Sequence, residues 1–169
     1  MSRFGVTVES QPAQLAGLPS GLTFNGYFCA LVAGASANYK LRRLVIGVRA
    51  GAGVPTSQQM TISMQRQTVR IAGTGFTTST GINLDQRAVA TAVTGVDITN
   101  AAAAGTTGPT VGTSFKKFTF NTQSAFDLPF EMMEEVVCDQ GTANGIALLN
   151  IGNALPASHL FVVDWEWEE

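Results

Sequence analysis

The chain of 169 residues has one histidine, two cysteines and only 13% charged residues. Each shortage removes a class of chemistry. A single His159 rules out a His-rich zinc site, and it leaves Ser-His-Asp or Cys-His catalysis only if that residue is the base. Its place in Ala-Ser-His-Leu, at the start of a strand-like run, predicts a strand-edge histidine near the surface. Cys29 and Cys138 stand in unrelated contexts without metal-type spacing, which predicts two buried free thiols and no disulfide framework. The longest apolar run, Tyr27 to Ala33, is far short of a membrane span. No apolar stretch of signal-peptide length follows Arg3, so synthesis in a cytosol without an export route is expected.

Charge is scarce and unevenly placed. Residues 1–120 hold all ten Lys and Arg with three acids, whereas residues 121–169 hold nine acids and no base. The net charge of −2 argues against a general nucleic-acid binder, which needs a basic patch. In an antiparallel fold the two segments interleave, so opposite charges are expected to neighbour one another within a subunit. The other arrangement, charges meeting across subunits, would fix the orientation of an assembly.

What the chain does have is alternation. Phe4, Val6 and Val8 oppose Gly5, Thr7 and Glu9, a half-buried strand. Runs 23–33 and 39–50, separated by the turn-like Gly34 to Asn38, read as a hairpin, with Gly26 a candidate bulge. In run 59–71, Met60, Ile62 and Met64 share one face as core filling. Past Gln65 the parity inverts, which predicts a bulge near Arg66 and turns Val69 and Ile71 inward. Residues 85–93 read as a strand or an irregular extended segment, with a short helix capped by Asn83 or Asp85 as the other option. Strand character returns at Ser114 to Asn121.

Phe126 to Glu169 holds three strand-like runs. The Gly-rich Asp139 to Gly145 predicts a hairpin into Ile146 to Asn150. In the last run Phe161, Val163, Trp165 and Trp167 share one face, and Leu160, Val162, Asp164 and Glu166 the other. Its acids are expected to solvate an exposed sheet edge. The sum is an all-β chain of seven to nine strands, an antiparallel β-sandwich of jelly-roll type. Residues 1–22 form an N-terminal strand plus an extended arm or connection, and residues 23–169 the sandwich, in a single domain overall.

Carboxylates are the only candidate catalytic groups. Asp127, Glu131 and Glu134 are the acids that sugar hydrolysis would use. Adjacent Glu134 and Glu135 point to opposite faces of a strand and do not pair. No Asp-x-Asp-x-Asp-Gly calcium loop is present. The expectation is a protein without catalytic residues, metal or cofactor. Trp165 and Trp167 with Tyr27 and Tyr39 offer a sugar-stacking platform, but two tryptophans of one parity fit a core or a subunit interface better. Candidate oligomer or partner contacts are Trp165, Trp167, Pro12, Leu15, Leu18 and Pro109, with segments 1–22 and 95–113 reaching neighbours.

The segments Glu135-Val-Val-Cys-Asp-Gln-Gly141, Gly145-Ile-Ala-Leu-Leu-Asn150 and Val163-Asp-Trp-Glu-Trp-Glu-Glu169 resemble the closing strands of jelly-roll head-decoration proteins, the capsid cements of tailed bacteriophages. The resemblance covers about a quarter of the chain and its motifs are structural. It implies a virion protein, made in the host cytoplasm and placed on the outer capsid surface. There it would bridge major capsid protein subunits, as a homotrimer, with neither nucleic acid nor membrane as partner. The alternative is a carbohydrate-binding or host-adhesion jelly-roll module of a phage tail or fibre, whose partner would be a surface glycan.

Overall fold

Period-two alternation governs the molecule, and every regular element among the described residues is a strand. The computed structural model describes residues 2–10, 26–51, 53–73, 75–84, 90–98, 109–131, 134–153, 155 and 159–169. Twelve strands are present there, more than the seven to nine expected: β1 (Arg3–Ser10), β2 (Tyr27–Val32), β3 (Tyr39–Ala50), β4 (Gln59–Val69), β5 (Phe76–Thr80), β6 (Ile82–Asn83), β7 (Thr94–Ile98), β8 (Thr110–Asn121), β9 (Phe126–Pro129), β10 (Val136–Cys138), β11 (Gly145–Asn150) and β12 (His159–Glu168). The excess comes from short strands. β9 and β10 lie end to end along one edge of β3, and β5, β6 and β7 lie between β4 and β8 in the chain.

Two six-stranded antiparallel sheets pack on one another as a β-sandwich. The first has the order β10-β3-β12-β1-β6, with β9 also on β3, and the second β5-β7-β2-β11-β4-β8. The pairings are nested. β1 pairs β12, β2 pairs β11, β3 pairs β9 and β10, and β4 pairs β8, as in one long hairpin. The further pairs β3·β12 and β4·β11 join the halves of that hairpin within each sheet.

Both expected hairpins are therefore overturned. β2 and β3 lie in different sheets, and so do β10 and β11. Their turns cross from one sheet to the other. All six residues of β2 and all six of β11 are buried, and such strands need a neighbour on each side and cover on both faces. The acids of β12 do not solvate an edge either, because β12 is a central strand flanked by β1 and β3. Of the 85–93 run, residues 85–89 lie outside the described residues and 90–93 are irregular, and the strand begins at Thr94.

The core between the sheets holds Phe4, Phe28, Leu31, Leu44, Ile46, Met60, Ile62, Met64, Phe161, Val163, Trp165 and Trp167. The parity expected for β12 and the methionine stripe of β4 are both found. Gly81 makes room for the indole, since a Cβ there would lie 2.3 Å from Cη2 of Trp167. Register shifts in β4·β8 between Met64 and Val69 match the expected bulge. Ile71 is buried beyond it, but Val69 is exposed, and Gln67 takes the buried position, its side chain within reach of Tyr27 Oη and the Ala143 carbonyl. Cys29 and Cys138 are buried free thiols, and burial pushes both pKa values up. β1 is an integral strand of the first sheet, and residues 11–22 of the expected arm lie outside the described residues.

Candidate functional surface

The outer face of the first sheet carries all seven ion pairs found among the described residues. Alternation would place only one of two adjacent arginines there. A bulge decides otherwise: Glu166 pairs with Arg43 but Trp167 with Leu41, so Arg42 is the extra residue and both guanidinium groups reach the outer face. Arg42 contacts Glu135 and Glu168, each at 2.6 Å. Arg43 holds Asp127 through two bonds of 2.9 and 2.7 Å and Glu166 at 3.2 Å. Lys40–Glu135, Arg3–Glu166 and Arg49–Glu9 extend the ladder. All but the last pair join a base of the first 120 residues to an acid of the last 49, so on this face the two oppositely charged segments meet within the subunit.

These contacts set the titration of the groups. The Arg43 hydrogen bonds hold Asp127 below the usual carboxylate range, and Lys40, then Arg42, do so for Glu135. Arg42 and Arg43 are raised, chiefly by hydrogen bonds to Glu168 and Asp127 respectively. Beside the ladder runs a groove of about 420 Å³ whose lining includes Gly5, Thr7, Arg43, Ile82, Leu84 and Asp164. It exists because Gly5 has no side chain between Arg3 and Thr7, and because Val45 is short beside Arg43.

The expected catalytic acids do not converge. Asp127 is engaged by Arg43, while Glu131 and Glu134 are exposed on the β9–β10 connection, joined by one backbone hydrogen bond. None of the three lines the groove. His159 is buried, not at the surface as expected, and its Nε2 accepts the Thr56 N–H at 3.0 Å. That lone pair is therefore not presented to a substrate. Among the described residues no three His, Cys, Asp or Glu side chains group as a metal site.

The sugar-stacking platform is overturned by burial. Trp165, Trp167 and Tyr39 are 0% exposed and Tyr27 is 1% exposed. Trp167 donates its indole N–H to Glu169 at 3.1 Å, and Tyr39 donates to the Leu31 carbonyl at 2.8 Å. Parity on a central strand turns both tryptophans into the core, so they are not contact residues on the surface of the subunit. Pro109 is buried, and Pro12, Leu15 and Leu18 lie outside the described residues.

Alternation placed Asp164 on the face opposite the tryptophans, but nothing in the sequence singled out Arg43, Asp164, Ile82 and Leu84 as one surface feature. Two consecutive arginines inside an alternating run were the available signal for the bulge. Apolar side chains do reach solvent: Val54, Ile82, Leu84, Val69, Ile151, Phe115 and Val137 are all exposed. They lie on loops, strand ends and edge strands, Phe115 within the long edge strand β8. No family model, curated protein or solved structure matches this chain.

Proposed function

We propose that this chain is a non-enzymatic virion structural protein that decorates a bacteriophage capsid and stabilises it by bridging major capsid protein subunits. The nested pairing β1·β12, β2·β11, β3·β9/β10 and β4·β8 supports a jelly roll, a hairpin of eight principal strands rolled into two sheets, with β5, β6 and β7 inserted between β4 and β8. Such a fold hosts many functions, so the role rests on the surface. One observation carries it. The reactive side chains that chemistry would need are ion-paired, exposed apart from one another or buried, while apolar side chains on loops and edges remain exposed. That surface suits contact with protein more than turnover of a substrate.

The C-terminal resemblance supplies the partner: a capsid shell, met from outside by a homotrimer at local three-fold positions. Its test is particle survival. Heads carrying the protein should withstand heating and osmotic shock better than heads without it, and equal survival would overturn the cementing role. The glycan-binding alternative has lost its four buried rings and would have to work without them. Glycan-array binding by the purified protein is the result that would bring it back.

A further inference from the structure

We propose that the groove on the outer face of the first sheet receives a lysine side chain presented by a partner protein. It stands on the groove alone and does not depend on the capsid reading. On this face Glu9, Asp127, Glu135, Glu166 and Glu168 each have a cation. Asp164 has none among the described residues; its Oδ1 accepts the Thr7 hydroxyl. Register explains the gap. Asp164 lies between Thr7 on β1 and Val45 on β3, so neither neighbour brings a charge, and the nearby Arg43 is turned to Asp127 and Glu166. Of the charged residues that line the groove, one base, Arg43, is set against two acids, Asp164 and Glu166, so the groove is short of one positive charge.

The walls select the stem as the floor selects the charge. Ile82 and Leu84 are 71% and 56% exposed and line the same groove. Leu84 leans over Gly5, where an added Cβ would meet both of its methyl carbons at 3.6 Å. A lysine covers such apolar surface with its methylenes while its head stays on a carboxylate at the water boundary. A guanidinium fits less well, because its planar fork is best met by both carboxylate oxygens in one plane, and the Thr7 hydroxyl already competes for Oδ1.

The test is an amide chemical-shift titration with Nα-acetyl-lysine methylamide, its Nε-acetylated neutral form, and spermidine. The expected result is saturable shifts confined to Gly5, Thr7, Val45 and Asp164, from the charged probe and not the neutral one. Asp164→Asn, which keeps an acceptor for Thr7, should weaken binding by about five-fold, the scale of an exposed ion pair. Leu84→Ser should weaken it by less. Equal shifts from the neutral probe, shifts elsewhere, no binding at tens of millimolar, or unchanged affinity in a folded Asp164→Asn protein would each overturn the proposal. Spermidine binding far tighter than the lysine probe would also overturn it, in favour of a free polyamine.

Discussion

The two sheets finish their outer faces in opposite ways. On the first, charged side chains meet water in a ladder of ion pairs spanning β1, β12, β3 and the β9–β10 edge. On the second, Tyr27, Ala30, Val32, Val96, Ala147 and Leu149 form a buried cluster that continues to Ile71 beyond β4. The cations of β4 and β8 and of Arg70 make no ion pair among the described residues. Arg66, Arg70 and Lys116 lie instead over the rings of Phe115, Phe76 and Phe130. The difference is written in the strands. β12 alternates buried and half-buried throughout, whereas β2 and β11 are buried at every position. A two-faced strand borders water, and a uniformly apolar one must be covered on both sides.

Substitutions on either side of these faces should separate them. The largest effect is expected at Trp167, which belongs to the inner core shared by both sheets. Trp167→Ala should cost about 3–5 kcal/mol in denaturant unfolding, because a fully buried indole leaves a cavity over Gly81. A loss below about 1 kcal/mol would mean that the core is not where burial places it.

Next comes the buried outer face of the second sheet. Leu149→Ala should cost about 2–4 kcal/mol, the range for a core leucine, although Leu149 does not face the inter-sheet core. A cost typical of surface positions, under about 0.5 kcal/mol, would erase the contrast between the faces.

The smallest effect is a pH dependence of opposite sign in the two sheets. Asp127 and Glu135 are depressed in the folded state, so their contribution is present above the ordinary carboxylate pKa and is lost as pH falls through their lower folded values. Asp97 on β7 is raised, by burial that outweighs hydrogen bonds from Thr77. Its charged form opposes folding at neutral pH, and that penalty is relieved as pH falls through the raised value. Urea midpoints should therefore rise slightly on mild acidification and fall in stronger acid. Asp97→Asn should abolish the rise and leave the fall, and a variant that keeps the rise would sink the assignment to Asp97.

Much of the fold was legible from local pattern. The parity of β12, the methionine stripe of β4 and its bulge each follow from the side-chain period of two, which the chain carries in its own order. The groove was not legible. It needs Gly5, Val45, Asp164 and Leu84 side by side, and they come from four separate stretches of chain. Their adjacency follows from the register of β1, β12 and β3 and from the short β6 pairing that brings Leu84 over Gly5. His159 was misjudged for the same reason, since its burial and its bond to Thr56 come from a loop 103 residues away.

By itself the sequence determined that this chain makes strands, which side of each strand is apolar, and that its bases and acids lie in different segments. The tertiary structure decided which strands are neighbours. Alternation sets the face of a residue but carries no address for the strand beside it, and a short turn can close a hairpin or cross between sheets. That choice made β12 a central strand with its acids among arginines, and it left Asp164 without one.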